Sequence, residues 1–460
     1  MNKQAKLEVS TTSKQTFKTS KRRNTLIIAL VTVAGFLGPV AGNIYVPLLP
    51  LYKSVFNTST TTVNGTVSIF MFTFGIAPLF WASLADKHGR RPLYLLSLPF
   101  YVISAVLLSS LKPHIVSLYI LRAIQAFGAS SLVSLGAATI SDIVEPKNRG
   151  KAISYFLLGP QLGPMVGLVA SLVGAGGQWR WTFGIISILG GVAYGAILFL
   201  LPETLKGLVE AEEACLELKE YLVPIQVVFR FKPQANEIHK VSTFKLIAKV
   251  LLYLLIVWCS IIGAFLFASF YSLTVSFASV LKHSYNFSQA LVSVSYLCPS
   301  MALVCGSLIT GRISDLLQMK RVNTDKSPHH PERRLLIQTG GLLICIAGLC
   351  CYGWALHYKW SVATVFVFSF MISFGMSSVS VVNMTYMTEC PTGYVSTNVA
   401  VGNMARNLAA GVASLVIDVL TRKMGYGWCF TGLAMLNVAS VAMSVVLSKY
   451  GHQWNQNHKN

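Results

Sequence analysis

Twelve apolar runs, most of them twenty or more residues long, dominate the 460-residue chain and limit what it can fold into. They fall at 25–48, 63–84, 93–111, 114–141, 150–174 and 180–202, then at 247–279, 287–311, 335–356, 360–388, 394–419 and 426–448. About twenty residues at ~1.5 Å rise cross a ~30 Å hydrocarbon core. Lipid offers no hydrogen bonds to the backbone, so such runs are read as helices. With 53% hydrophobic residues, 12% charged residues and a mean hydropathy of +0.59, the chain is far from a soluble globular profile. The run from Thr25 is long and followed by many others, so it reads as a spanning helix and not a cleaved signal.

The net charge of +21 is topological rather than a nucleic-acid signature, because Lys and Arg concentrate in the connectors. With the amino terminus inside, inner connectors outweigh outer ones in Lys and Arg by roughly four to one, which predicts both termini in the cytoplasm. The expected organisation is a disordered cytoplasmic tail (1–24), a six-helix bundle (25–202), a cytoplasmic linker (203–246), a second six-helix bundle (247–448) and a short tail (449–460). Within the linker, 208–222 has helical apolar spacing and is expected to form a cytosolic or interfacial helix. Nine cysteines, mostly inside apolar runs and without a CxxC pair, support neither a disulfide framework nor a zinc site.

The halves resemble each other. Phe127-Gly128-Ala129-Ser130-Ser131 in the fourth run returns as Phe374-Gly375-Met376-Ser377-Ser378 in the tenth, and Asp142 returns as Glu389 at the same offset. Asp315 ends the eighth run as Asp86 ends the second. A duplicated six-helix unit explains this, and in transporters of that kind substrate binds between the halves near the midplane.

Charged and polar residues inside apolar runs are costly, and function is their default reading. Arg122 is expected ~12 Å below the outer end of its helix, with Gln125 beside it and Asn43 at similar depth. Arg406 is expected ~18 Å inside, with Asn403 and Asn407 on its helix. The plainer readings are an arginine satisfied by carbonyls and Gln125, and a structural polar network around Arg406. Tyr45, Phe270, Tyr271 and Tyr386 suit stacking and cation–π contacts with a substrate, although most aromatics in such a chain face lipid or core. Gly159, Gly163 and Gly167 share one helix face, with Pro160 and Pro164 beside them. That face allows close backbone approach, which ordinary helix packing would also demand. The turn Leu84–Pro92 holds Asp86 among Lys87, Arg90 and Arg91. The positive-inside rule explains the bases but not the acid, so the turn reads as an ionic latch.

These residues resemble the major facilitator superfamily, and within it the fungal twelve-span drug:proton antiporters. Leu84-Ala85-Asp86-x-x-Gly89-Arg90-Arg91 is similar to the family's loop motif between the second and third helices. Leu121-Arg122 through Gly128 resembles the fourth-helix motif, and Gly159-x-x-x-Gly163-Pro164-x-x-Gly167 the fifth-helix motif of exporters. Leu201-Pro202-Glu203-Thr204 ends the sixth run as in many members. The resemblance implies the major facilitator fold, an all-α membrane protein with twelve transmembrane helices in two pseudo-symmetric bundles. It implies gating by Asp86, Arg90 and Asp142, with Asp315 and Glu389 as their second-half counterparts. Unlike many proton-coupled relatives, the first span carries no acidic residue.

No GxxxxGK[ST], HExxH or GxSxG pattern is present, so neither ATP hydrolysis nor an enzyme is expected. The expectation is a monomeric, cofactor-free, proton-coupled antiporter exporting small organic molecules, such as drugs, polyamines or a dityrosine-type wall precursor. Its partners are the substrate, protons and the lipid bilayer of the plasma membrane, or of a spore membrane, with no nucleic acid. An uptake or facilitated-diffusion carrier, and a non-transporting transceptor or scaffold, are the alternatives.

Overall fold

The computed structural model describes residues 21–144, 170–204, 253–325, 334–389 and 395–457, and single residues between 152 and 167. Every regular element described is helical. In order these are α1 (Lys21–Asn43), a 3-10 turn (Val46–Leu48), α2 (Leu49–Val55), α3 (Thr60–His88), α4 (Arg91–Ser110) and α5 (Ile115–Ile143). After helical residues between 152 and 170 come α6 (Leu172–Ala175) and α7 (Arg180–Leu200). The rest are α8 (Leu254–His283), α9 (Gln289–Ser295), α10 (Leu297–Asp325), α11 (Leu335–His357), α12 (Val362–Glu389) and α13 (Val395–Asn457). Among the described residues, ten helices are long and apolar enough to cross a membrane.

The surface is apolar and the interior is mixed, the reverse of a soluble protein. Val192, Leu336 and Met435 are about two-thirds exposed, while Ser97, Gln125, Ser131 and Gln338 are buried. Such a distribution suits lipid outside and polar side chains turned inward.

Helix ends depart from the apolar windows in instructive ways. α1 starts at Lys21, inside the stretch expected to be a disordered tail, and Arg22 and Arg23 are exposed on it. Their long stems let charges stay in water while the helix runs on past the apolar stretch. α1 then stops at Asn43, short of Leu48, because Pro47 opens the 3-10 turn that follows. Windows 394–419 and 426–448 are continuous as α13, which breaks only at Gly425 (φ 77°, ψ 163°) and continues to Asn457 through most of the expected tail. Its apolar part, Asn398–Lys449, is 52 residues long, about 78 Å and far more than one ~30 Å crossing. The expected linker helix at 208–222 lies outside the described residues.

The repeated Phe-Gly-x-Ser-Ser segments occupy matching places. Gly128 on α5 faces α4 so closely that an added methyl would lie 2.6 Å from Ser97 O and Tyr101 N. Gly375 on α12 meets α11 in the same way, 2.6 Å from Gly341 O and 2.8 Å from Cys345 N. A duplicated sequence thus marks a duplicated helix crossing.

The glycine face of the fifth apolar run packs on α1. A methyl on Gly163 would lie 2.6 Å from Pro39 Cβ and 3.1 Å from Phe36 O, and one on Gly167 would lie 2.9 Å from Val40 O. Gly159 presses on the Thr32 carbonyl in the same register, and Pro160 stands beside Gly35. Pro164 is a helical, half-buried residue of the same run. Gly163→Ala is expected to lower stability by about 1–3 kcal/mol through overpacking, read as an earlier thermal midpoint in detergent. Gly191→Ala on α7, where nothing lies within 4 Å, is expected to leave that midpoint unchanged or slightly raised.

Candidate functional site

Two helices, α3 and the first part of α13, run antiparallel and bring the early and late portions of the chain together. Going along the seam, Thr61 donates to Asp418 Oδ2 (3.0 Å) and the Ser68 and Ser414 hydroxyls pair at 2.8 Å. Phe72 then packs on Gly411, and Gly75 on Asn407 and Met404. Close by, Gln289 Nε2 at the start of α9 donates to Pro47 O (2.6 Å). These contacts close the end of the molecule opposite the Lys87–Arg91 turn.

Beside that seam, at the level of Phe70 between Ser68 and Phe72, lies Arg122, 0% exposed. α5 carries it into the interior because Leu118, Leu121, Gln125 and Ala126 around it are all buried. Nη1 donates to Ala41 O (2.8 Å) and Gln125 Oε1 (2.7 Å). The guanidinium is sandwiched between the rings of Tyr45 (3.9 Å to the centroid) and Phe70 (4.2 Å). Such contacts contribute up to ~2 kcal/mol each when desolvated. The Tyr45 hydroxyl is near Thr66 and the guanidinium but not at hydrogen-bonding geometry. Asn43 Nδ2 bonds back to Pro39 O (2.8 Å), leaving Oδ1 buried without a hydrogen-bond partner.

Arg406 forms a second centre on α13. It hydrogen-bonds Asn403 and lies 4.6 Å from the Phe267 ring centroid on α8. Its aliphatic stem covers Gly263, where Asn383 also stands, and Asn383 donates to Cys259 O (2.8 Å). Asn407 Nδ2 bonds to Asn403 O (2.8 Å). A small cavity here is lined by Asn383, Met387, Gly402, Asn403 and Arg406 among others. Tyr271 bridges the centres: it stacks on Phe267 and lies beside Asn43, within electrostatic reach of both arginines.

Arg122, Gln125, Asn43, Tyr45 and Tyr271 therefore come together, as do Arg406, Asn403 and Asn407. Tyr386 is buried on α12, one turn from Asn383. Sequence reasoning missed Phe70 and Phe267, the ring partners of the arginines. It also missed Asn383, although an amide inside an apolar run was a signal of the same kind as Asn403.

At the other end, Arg90 Nε meets Asp142 Oδ2 at 3.1 Å. Gly89, at φ 93°, turns the chain so that α4 begins at once. Glu203 then accepts the backbone N–H groups of Arg90 (2.9 Å) and Arg91 (3.1 Å), one on each carboxylate oxygen. Arg91 Nη2 donates to Leu198 O (2.8 Å). An anion across the first backbone N–H groups of a helix is favourable both as a cap and against the helix dipole. The sequence analysis treated Glu203 only as the end of a span, because a cap from 113 residues away leaves no local pattern. The side chains of Asp86, Asp315 and Glu389 lie outside the described residues. Glu203→Gln is expected to cost about 1 kcal/mol and Glu203→Ala about 2 kcal/mol, measured as thermal midpoints of the purified protein.

Comparison with known proteins gives the same assignment from an independent side. Residues 31–414 match the Major Facilitator Superfamily family model. Dityrosine transporter 1 of Saccharomyces cerevisiae is 37% identical over 450 residues, covering 92% of this chain and 79% of the relative. Multidrug transporter DTR1 of Candida glabrata is also 37% identical, covering 93% of this chain and 84% of its own. The MFS antiporter QDR2 of Candida albicans is 26% identical, covering 89% and 85%. The fold is shared with a bacterial homologue of the human lysosomal transporter Spinster in an inward-facing, unoccupied conformation (TM-score 0.64, 15% identity, covering 95% of this chain and 98% of that one). The chain belongs to the major facilitator superfamily of membrane transporters.

Proposed function

We propose that the protein is a proton-coupled antiporter that exports small organic molecules by alternating access. The observation that carries this reading is the seam between α3 and α13, closed by short side chains at one end of the molecule. A transporter that alternates needs such a contact, shut in one state and parted in the next. On this reading twelve spans form two six-helix bundles, 25–202 and 247–448, joined by the 203–246 linker. The Lys87–Arg91 turn and both termini face the cytoplasm, in line with the charge asymmetry of the connectors. The seam then closes the outer mouth, and the Arg90–Asp142 pair belongs to the inner one. The names of the relatives, a multidrug transporter, an antiporter and a dityrosine transporter, support a carrier of small organic molecules that works by antiport.

The driving force is adequate. One charge moving through 100 mV supplies ~2.3 kcal/mol, and one pH unit ~1.4 kcal/mol. Together these sustain accumulation ratios of roughly five hundredfold.

In sealed vesicles, an imposed proton gradient is expected to drive substrate against its concentration, and Arg122→Ala to abolish that movement. Transport that is indifferent to the gradient overturns proton coupling. Ser68→Cys with Ser414→Cys, in a cysteine-depleted background, is expected to form a disulfide, since the parent hydroxyls are 2.8 Å apart. Oxidation should then stop transport and reductant restore it. Full activity with the crosslink in place would exclude parting of the seam.

A further inference from the structure

The sixteen Asp and Glu residues of the chain all lie at run ends, in connectors or in tails, so none shares the middle of a span with an arginine. Asp418 is bound to Thr61 and Arg422. Thr61 lies nine residues, ~13 Å, along α3 from the Phe70 that covers Arg122. Among the described residues, a fully buried guanidinium therefore stands without a carboxylate beside it, an arrangement strongly unfavourable unless something supplies the charge.

The geometry says which part of Arg122 is left over. Its two faces are covered by Tyr45 and Phe70, and Nη1 is used by Ala41 O and Gln125 Oε1. Nε and Nη2 are buried without hydrogen-bond partners. These two nitrogens present parallel N–H bonds on the same edge of the group, the edge that grips a carboxylate in bidentate fashion. Gln125 Nε2, a further donor, is also buried and unpartnered. The remaining polar atoms nearby, Asn43 Oδ1 and the Tyr45 hydroxyl, leave the cluster richer in donors than in acceptors.

We infer that the Arg122 edge, with Gln125, is the seat of a substrate carboxylate, so that the exported molecule is a small organic anion and not a polyamine or a cationic drug. This deepens the export reading above and rests on it. A carboxylate is acceptor-only, with about four lone-pair sites, and it neutralises the buried cation. An ammonium group would bring more donors and like charge to a site already dominated by both. Tyr271 and Phe267, stacked between the two arginines, give the body of such a molecule an aromatic wall.

The test uses purified full-length protein in detergent, with thermal shift as the readout and no proton gradient. The probes are N-acetyltyrosine, its neutral amide N-acetyltyrosinamide, and spermine. The acid is expected to raise the melting midpoint, with at least tenfold higher affinity than the amide, and spermine to have no effect. Arg122→Lys keeps the charge but loses the fork, and is expected to weaken acid binding at least tenfold. Equal affinity for acid and amide, stabilisation by spermine, no shift with the acid, or undiminished acid binding in Arg122→Lys would each overturn the site. The acid-to-amide ratio is read on the unmodified protein, so the inference is testable even if the variant does not fold. Acid binding that depends on Arg122 in a protein that fails to export in vesicles would sink only the export reading. Gradient-driven export without carboxylate discrimination would sink only this one.

Discussion

A positive charge held out of water without a negative one beside it organises the centre of this protein. The surrounding structure answers the Arg122 guanidinium with what an apolar bundle can offer: a carbonyl freed near the end of α1, a glutamine one turn along its own helix, and two aromatic faces. Each element has a counterpart in how the chain folds. α1 ends at Asn43 and the chain turns there, which leaves late carbonyls such as Ala41 O without helix partners and places Tyr45 over the cation. α5 lies against α3, which brings Phe70 to the other face. Helix termination and helix packing thus converge on one side chain.

Much of this was legible in the sequence, for a definable reason. Lipid makes every charge inside an apolar run expensive, so Arg122 and Arg406 stood out by position alone, and Gln125 and Asn403 by helical spacing. The glycines at 159, 163 and 167 and the repeated Phe-Gly segment were equally visible, because only a small residue admits another backbone so closely. Contacts that join distant parts of the chain left no such mark. The Glu203 cap on α4, the Ser68–Ser414 pair and the ring over Arg406 connect residues from 113 to 346 positions apart. Ser, Phe and Glu are ordinary residues in the places where these occur. Extra helix at both ends of the chain was missed because hydropathy reports where lipid begins, not where a helix stops.

The two ends of the molecule are built from different materials. Around the Lys87–Arg91 turn, contacts are ionic and charge-assisted: Arg90 with Asp142, and Glu203 with two backbone N–H groups. Along the seam they are hydroxyl pairs, a ring on a glycine and one threonine bond to a carboxylate. Strong, directional bonds hold helices of the first 204 residues to one another, while the surfaces joining α3 to α13 are held mainly by shape.

That difference bears on speed. A face made of serine, glycine and phenylalanine adheres through many shallow wells, none of them deep. Little desolvation has to be reversed on separation, and few charges must find water before the next step begins. On the export reading proposed above, a zipper of this softness favours rapid turnover over long dwell times.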